Sequence, residues 1–273
     1  MSRSSSLSLL QEIHDTESPS QLRGYLLGSI HLFHSSFLPL IDICSQLIPS
    51  CVSYCGEMDL SLMDQEMPLS TIFMEPLAGR IKCSASQTRF LLKKFNISLE
   101  QLNHYPPPVA LSKVFSSIME GTIEPGSVDA ALTDIAMSHG LKMMGLEAYE
   151  VQQNLMAELS DSTFLEQLEN ILHKPLNFRR KTSKLIKNYA ANDLTKIYAH
   201  VKRSSGLDKH KLVYRRNKEM ALKMHDIIMH STGNVFFSVG AGHLPGNYGM
   251  MRYLKQHGYK LKPINFVTDG SAS

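Results

Sequence analysis

Apolar positions along the chain predict strands near both ends. Short runs that are apolar throughout are typical of strands covered on both faces of a sheet. The first such run, residues 24–31, closes in Gly-Ser-Ile-His. Further strand candidates lie at 51–58, 141–146, 234–239 and 259–264.

Helical spacing of apolar residues separates these runs. The chain from about 148 to 230 is expected to contain helices only, and residues 267–273 a flexible tail. The first 22 residues are polar and are expected to form a loose arm or a short helix. Other helices are expected at 37–47, 84–95, 108–120 and 128–139.

Strand and helix patterns alternate at both ends, which favours an α/β fold with a mostly parallel central sheet flanked by helices. We expect one catalytic domain over 23–266, with 148–230 as a long all-helical insertion. Such an insertion could form a lid or a homodimer surface. Ligands of parallel sheets bind beyond the carboxyl ends of the strands, so candidate residues are sought there.

Composition changes this picture little. The chain is 43% hydrophobic and 19% charged, which suffices for a packed core. Residues 174–218 hold 14 of the 28 Lys and Arg. They contain no glycine-rich phosphate loop, so solvated helix faces are favoured and no nucleic-acid partner is expected.

The expected compartment is the cytoplasm, with export as an effector left open. No run of about eighteen apolar residues predicts a membrane span, and the N-terminus lacks the apolar centre of a secretory signal. The four cysteines are expected to be reduced thiols.

Two histidines follow glycine-containing turns at predicted strand ends. His31 closes Gly-Ser-Ile-His, and His243 closes Gly-Ala-Gly-His. Histidine at such a corner can bind a metal or transfer a proton near neutral pH. It can also merely cap the strand end, but the repeated placement favours a functional pair. His34 could join a metal site, although a surface role is preferred.

Two glutamates end predicted strands at the same edge, namely Glu57 and Glu147. A carboxylate there can bind a hard metal ion or accept a proton from water. The alternative, stabilising the start of a following helix, is stronger for Glu147. Arg215 and Arg216 open the helix before the second Gly-x-x-His, and one could hold an anionic or carbonyl group.

At these residues the sequence resembles the TraB/GumN family, which includes pheromone-shutdown proteins and the Tiki metalloproteases. The resemblance covers about 25–259, with Asn192 where glycine is usual and Ser29 where threonine is usual. Cys55 and Gly56 stand where aliphatic residues are usual. The matching blocks are Tyr25–His31, Phe37–Leu40, Glu57–Asp59, Val128-Asp129, Gly145–Glu147 with Gln152 or Gln153, Asn192–Leu194, Arg216-Asn217 and Val239–Gly246.

The resemblance implies an erythromycin-esterase/ChaN-like fold in which both Gly-x-x-His motifs and a glutamate share one cleft. It implies His31, Glu57 and His243 as catalytic residues and metal ligands, with Glu147 and Arg216 in support. Tiki-type members imply Mn²⁺ or Co²⁺, and Zn²⁺ is a further candidate. Esterase-type members imply hydrolysis by His and Glu with a less clear need for metal.

The resulting hypothesis is a metallohydrolase, similar to a metalloprotease, that cleaves a peptide or amide bond. One glutamate would join His31 and His243 as metal ligands, the other would accept a proton from water, and Arg216 would stabilise the oxyanion. Two alternatives remain open. One is a metal-free His/Glu esterase acting on a small ester, and the other is a regulatory protein that binds a peptide without turnover.

Overall fold

The structure is a computed structural model that describes residues 7–59, 75–148, 150–151, 154, 161–204 and 210–266. Six strands and ten α-helices lie within these residues, which confirms the α/β class. The strands are β1 (Leu10–Asp15), β2 (Leu22–Ser29), β3 (Ser53–Gly56), β4 (Lys142–Gly145), β5 (Val235–Gly240) and β6 (Tyr259–Ile264).

All six strands form one sheet in the order β4-β3-β5-β2-β1-β6. The four strands from β4 to β2 run parallel, and β1 is antiparallel to both β2 and β6. Strands β2 and β5 lie inside the sheet, and most of their residues are buried, as their apolar runs predict. Because β2, β3, β4 and β5 are parallel, the residues that follow them reach the same edge of the sheet.

The N-terminal strand corrects the expectation for the first 22 residues. Residues 10–15 form neither a loose arm nor a helix but strand β1, between β2 and β6. Leu10 and Ile13 are fully buried. Leu10 pairs with Ile264 of β6, so β1 is stabilised by a strand that is remote in the sequence. A local sequence pattern does not reveal such a partner.

The ten helices begin and end near the predicted boundaries where a prediction was made. Ser84 and Ser127 cap two of them by accepting main-chain N–H bonds from Gln87 and Ala130. The helices are α1 (Leu38–Leu47), α2 (Ala85–Phe95), α3 (Leu99–Leu102), α4 (Pro107–Met119), α5 (Val128–Ser138), α6 (Asp161–His173), α7 (Pro175–Ala190), α8 (Leu194–Ser204), α9 (Arg216–His230) and α10 (Met250–Gln256).

The chain divides into two compact units. One comprises residues 1–66, 124–151 and 185–273 and contains the sheet. The other comprises 67–123 and 152–184, and its described elements are helices, with α4 packed on α6.

The segment 148–230 contains helices and no strand wherever the structure describes it, including a π-helix at His210–Arg215. Its status as an insertion, and the extent of one catalytic domain over 23–266, stay predictions. The expected tail at 267–273 lies outside the described residues. No helix in the described part of the chain is long and apolar enough to cross a membrane. All four cysteines are free thiols, as predicted.

Candidate active site

Four of the five predicted site residues meet at the carboxyl ends of the parallel strands. Glu57, Glu147 and His243 follow β3, β4 and β5, and Arg216 reaches them from the first position of α9. Arg216 Nε donates to Glu147 Oε1 at 2.7 Å, and Arg216 Nη2 donates to Glu147 Oε2 at 2.5 Å. The same Nη2 atom also donates to Glu57 Oε1. One guanidinium thus joins two carboxylates.

The register of β3 and β4 places the two glutamates side by side. Gly56 pairs with Gly145, and the Glu147 main-chain N–H donates to the Glu57 carbonyl oxygen at 2.9 Å. The chain after β3 folds so closely over Gly145 that a Cβ there would lie 2.6 Å from the Asp59 nitrogen. Glycine is therefore required at this point for the two carboxylates to be neighbours.

The three charged side chains are largely withdrawn from water. The exposed fraction of the side chain is 11% for Arg216, 14% for Glu57 and 6% for Glu147. One positive and two negative charges leave the cluster with a net charge of −1. Such a site attracts a cation or a developing positive charge.

Opposing effects set the pKa of Glu57. Burial acts to raise the pKa, but the charges of His243 and Arg216 and the hydrogen bond from Gly240 lower it to about 2. The Gly240 main-chain N–H donates to Glu57 Oε2 at 3.2 Å. Glu57 is therefore an anion at neutral pH, with hydrogen-bond donors on both oxygens.

His243 lies in the short 3₁₀ turn after β5. Its Nε2 is 3.9 Å from Glu57 Oε2, and its Nδ1 is 2.5 Å from Asn217 Oδ1. Burial lowers the pKa of His243, although the charges of Glu57 and Glu147 act in the opposite direction. The ring is therefore neutral near pH 7.

His31, the fifth predicted residue, occupies a more open position after β2. Its side chain is 75% exposed, and its Nδ1 lies 2.9 Å from Asp129 Oδ2, at the second position of α5. The adjacent Asp129 carboxylate raises the pKa of His31. The charge of His31 also acts on Glu57 and His243, so all five residues share one electrostatic environment.

A metal ion would find only part of its ligand set in place. Among the described residues no group of three or more His, Cys, Asp or Glu is arranged to hold an ion. His243 Nε2 and Glu57 Oε2 are 3.9 Å apart, whereas two tetrahedral ligands with bonds of about 2 Å would lie roughly 3.4 Å apart, so this pair would have to move closer to share one ion. A third ligand from His31 would have to approach this pair.

Three contacts of the site were not predicted. Asn217 holds His243, Asp129 pairs with His31, and the Gly240 N–H binds Glu57. Asn217 and Asp129 lie in blocks that support the family resemblance, and each is a polar residue in the first turn of a helix. His34 accepts a hydrogen bond from the Ser36 N–H at 3.0 Å and caps a 3₁₀ turn, and its surface role stays a prediction.

The fold and the site define an α/β protein with a buried His–carboxylate–Arg cluster at the carboxyl ends of parallel strands. The chain belongs to the TraB/PrgY/gumN family, whose model matches residues 9–263. This confirms the resemblance and extends it over β1 and β6.

One similar protein is named Metalloprotease TIKI homolog and comes from Nematostella vectensis. It is 24% identical to this chain over 189 residues, which cover 58% of this chain and 40% of the relative. The chain therefore spans about two fifths of the length of this relative. No solved structure matches the chain significantly.

Proposed function

We propose that the protein is a hydrolase that cleaves a peptide or small amide bond at the cluster of Glu57, His243 and Arg216. The observation that carries the proposal is the approach of His243 Nε2 to a largely buried carboxylate that is charged at neutral pH, at the carboxyl edge of the parallel strands. Membership of the TraB/PrgY/gumN family and the similarity to a protein named as a metalloprotease support the reaction class.

We propose different tasks for the site residues on the basis of their contacts. Both oxygens of Glu57 accept hydrogen bonds, which suits this carboxylate to hold a cation rather than to accept a proton. His243 Nε2 faces Glu57 and is placed to bind a ligand or to take a proton from water. Both carboxylate oxygens of Glu147 bind Arg216, so Glu147 fixes the arginine in place. The oxyanion role of Arg216 stays a prediction.

The chemistry of the donors in this cluster, a carboxylate and imidazole nitrogens, suits a divalent ion. Glu57 and His243 would hold it, with His31 as the third ligand, and the net charge of −1 favours its binding. When bound, such an ion supplies Lewis acidity, which lowers the pKa of water and polarises a carbonyl group. The family resemblance favours Mn²⁺ or Co²⁺, with Zn²⁺ as a further candidate.

The test is product formation by the purified full chain from a panel of peptides, small amides and esters. We expect turnover with added Mn²⁺ or Co²⁺, and loss of turnover in His243→Gln by at least about 100-fold. The matched control is His230→Gln, because the His230 side chain is 78% exposed on α9. Equal turnover in the wild type and His243→Gln would refute the proposed site.

A metal-free esterase is the second candidate, favoured because no group of three or more His, Cys, Asp or Glu among the described residues is arranged to hold an ion. In that reaction His243 would act as the general base for water, and Glu57 would stabilise the protonated ring. Full esterase activity after exhaustive chelation would establish this version. Binding of one peptide per chain without any product would instead indicate a regulatory peptide-binding protein.

A further inference from the structure

Asn217 is a buried polar residue with a fixed orientation. It is 1% exposed, and its Nδ2 donates to the main-chain oxygens of Tyr248 at 2.7 Å and His243 at 3.3 Å. A side-chain amide has one donor end and one acceptor end, so these two bonds determine which way it points. Its Oδ1 therefore faces the His243 ring, 2.5 Å from Nδ1.

This contact also determines where the His243 ring carries its proton. An amide oxygen can only accept a hydrogen bond, so the contact requires a proton on Nδ1. A neutral imidazole has one N–H, and the hydrogen bond made by one nitrogen decides the state of the other. Nε2 is then left with a lone pair, and Nε2 is the atom that lies 3.9 Å from Glu57.

We propose that Asn217 is a positioning residue that holds His243 in the Nδ1–H tautomer and makes Nε2 the nitrogen that acts at the site. The tautomer follows from the contacts alone, whereas its importance for turnover rests on the proposed hydrolase function. The same assignment serves either chemistry, because metal ligation and proton abstraction both need an imidazole lone pair.

Asn217 and Arg216 are adjacent in the first turn of α9 but bind different residues of the site. Arg216 binds the two glutamates, and Asn217, the next residue, binds His243. Removal of the Asn217 amide therefore releases His243 while the contacts of Arg216 stay in place. Residues that orient a metal-binding or catalytic side chain through a hydrogen bond are worth about 10–100-fold in metal affinity or activity.

The direct test is ¹⁵N NMR of the full chain with ¹⁵N-labelled histidine, near neutral pH and without metal or substrate. The His243 signals are assigned by their loss in His243→Gln. We expect Nδ1 to show the shift of a protonated nitrogen and Nε2 that of a nitrogen with a lone pair. A proton on Nε2 in the wild type would overturn the proposal, with no variant needed.

Variants then separate positioning from a merely structural role. Asn217→Ala should remove the Nδ1–H preference and lower kcat about 10–100-fold with little change in KM. Asn247→Ala, on the exposed loop after His243, is the matched control and should change neither. An unchanged tautomer in folded Asn217→Ala would also overturn the proposal.

Asn217→Asp keeps the acceptor oxygen and adds a negative charge beside the ring. It should retain the Nδ1 proton in the same NMR measurement, because an acceptor oxygen stays beside that nitrogen. Loss of the Nδ1 proton in folded Asn217→Asp would show that the oxygen at this position does not determine the tautomer. Absence of turnover in every form would refute the proposed function but leave the NMR result on the tautomer intact.

Discussion

Replacement of Arg216 by methionine isolates the energetic role of the buried cation. The substitution keeps a long side chain but leaves Glu57 and Glu147 without their shared partner. Both carboxylates are at least 86% buried, since their side chains are 14% and 6% exposed. Removing one partner of a buried ion pair typically costs about 3–5 kcal/mol.

The pKa of Glu57 gives a magnitude of the same size. Its fall from an ordinary 4.5 to about 2 corresponds to at most about 3 kcal/mol of stability, and at neutral pH, where the His243 ring is uncharged, Arg216 and the Gly240 N–H provide the part that remains. We therefore expect Arg216→Met to lose about 3–5 kcal/mol in the free energy of unfolding by urea. The control is Arg215→Met, because the adjacent Arg215 side chain is 76% exposed and should matter by less than about 1 kcal/mol.

Two further comparisons identify the cause of the loss. Adding Glu57→Gln and Glu147→Gln to Arg216→Met should recover most of the stability, because these two charges are then also removed.

In the wild type, the folded-state pKa of Glu57 is depressed, so the contribution of Glu57 to the free energy of unfolding is present above about pH 4.5 and is lost as the pH falls towards about 2. A loss below about 1 kcal/mol in Arg216→Met at pH 7 would refute the reasoning.

Three other substitutions probe the frame of the site. Gly145→Ala should lower the free energy of unfolding by about 1–3 kcal/mol and reduce turnover, because the added Cβ would lie 2.6 Å from the Asp59 nitrogen. An unchanged free energy of unfolding by urea would contradict this. Tyr189→Phe removes the buried hydrogen bond of 2.8 Å from the Tyr189 hydroxyl to the Gly28 carbonyl oxygen, and should lower the free energy of unfolding by about 1 kcal/mol. An unchanged free energy of unfolding would show that this bond does not stabilise the fold. Asn192→Ala should lower the unfolding free energy by about 2 kcal/mol, because Asn192 has φ +56° and binds the segment that begins β1; a stability equal to wild type would disprove it.

Much of the sheet could be predicted from local sequence because β2, β3 and β5 are mostly buried on both faces. The apolar runs before His31 and His243 form β2 and β5. The predicted last strand is β6, with the predicted bounds Tyr259–Ile264. Strand β1 could not be predicted in this way. Its buried Gln11 and His14 interrupt the apolar pattern, and its partner β6 is remote in sequence.

The site could be predicted as a location more readily than as a set of contacts. Parallel strands end at one edge, so residues after β3, β4 and β5 had to be neighbours. The bonds of Arg216 to Glu57 and Glu147 span 159 and 69 residues and depend on how α9 packs against the sheet. The packing of α9 cannot be predicted from local sequence. For the same reason the sequence predicted no individual role for Asn217.

Asn192 differs from the glycine of the family pattern but has a backbone conformation that favours glycine. The family has glycine where this chain has Asn192, and the residue has a left-handed φ of +56°. Asparagine tolerates this conformation better than most residues with a Cβ. Its side chain also accepts the Leu9 N–H at 2.7 Å, a contact that glycine cannot make.

The measurement that tests the central claim most directly compares product formation by the wild type, Glu57→Gln and Glu219→Gln on the same peptide or amide substrate. Glu57→Gln removes the buried charge beside His243, whereas Glu219 is an exposed glutamate on the same helix as Arg216. We predict many turnovers per chain for the wild type and Glu219→Gln, and a loss of at least about 100-fold in kcat for Glu57→Gln. Equal product formation by all three proteins would contradict the assignment of hydrolysis to this site.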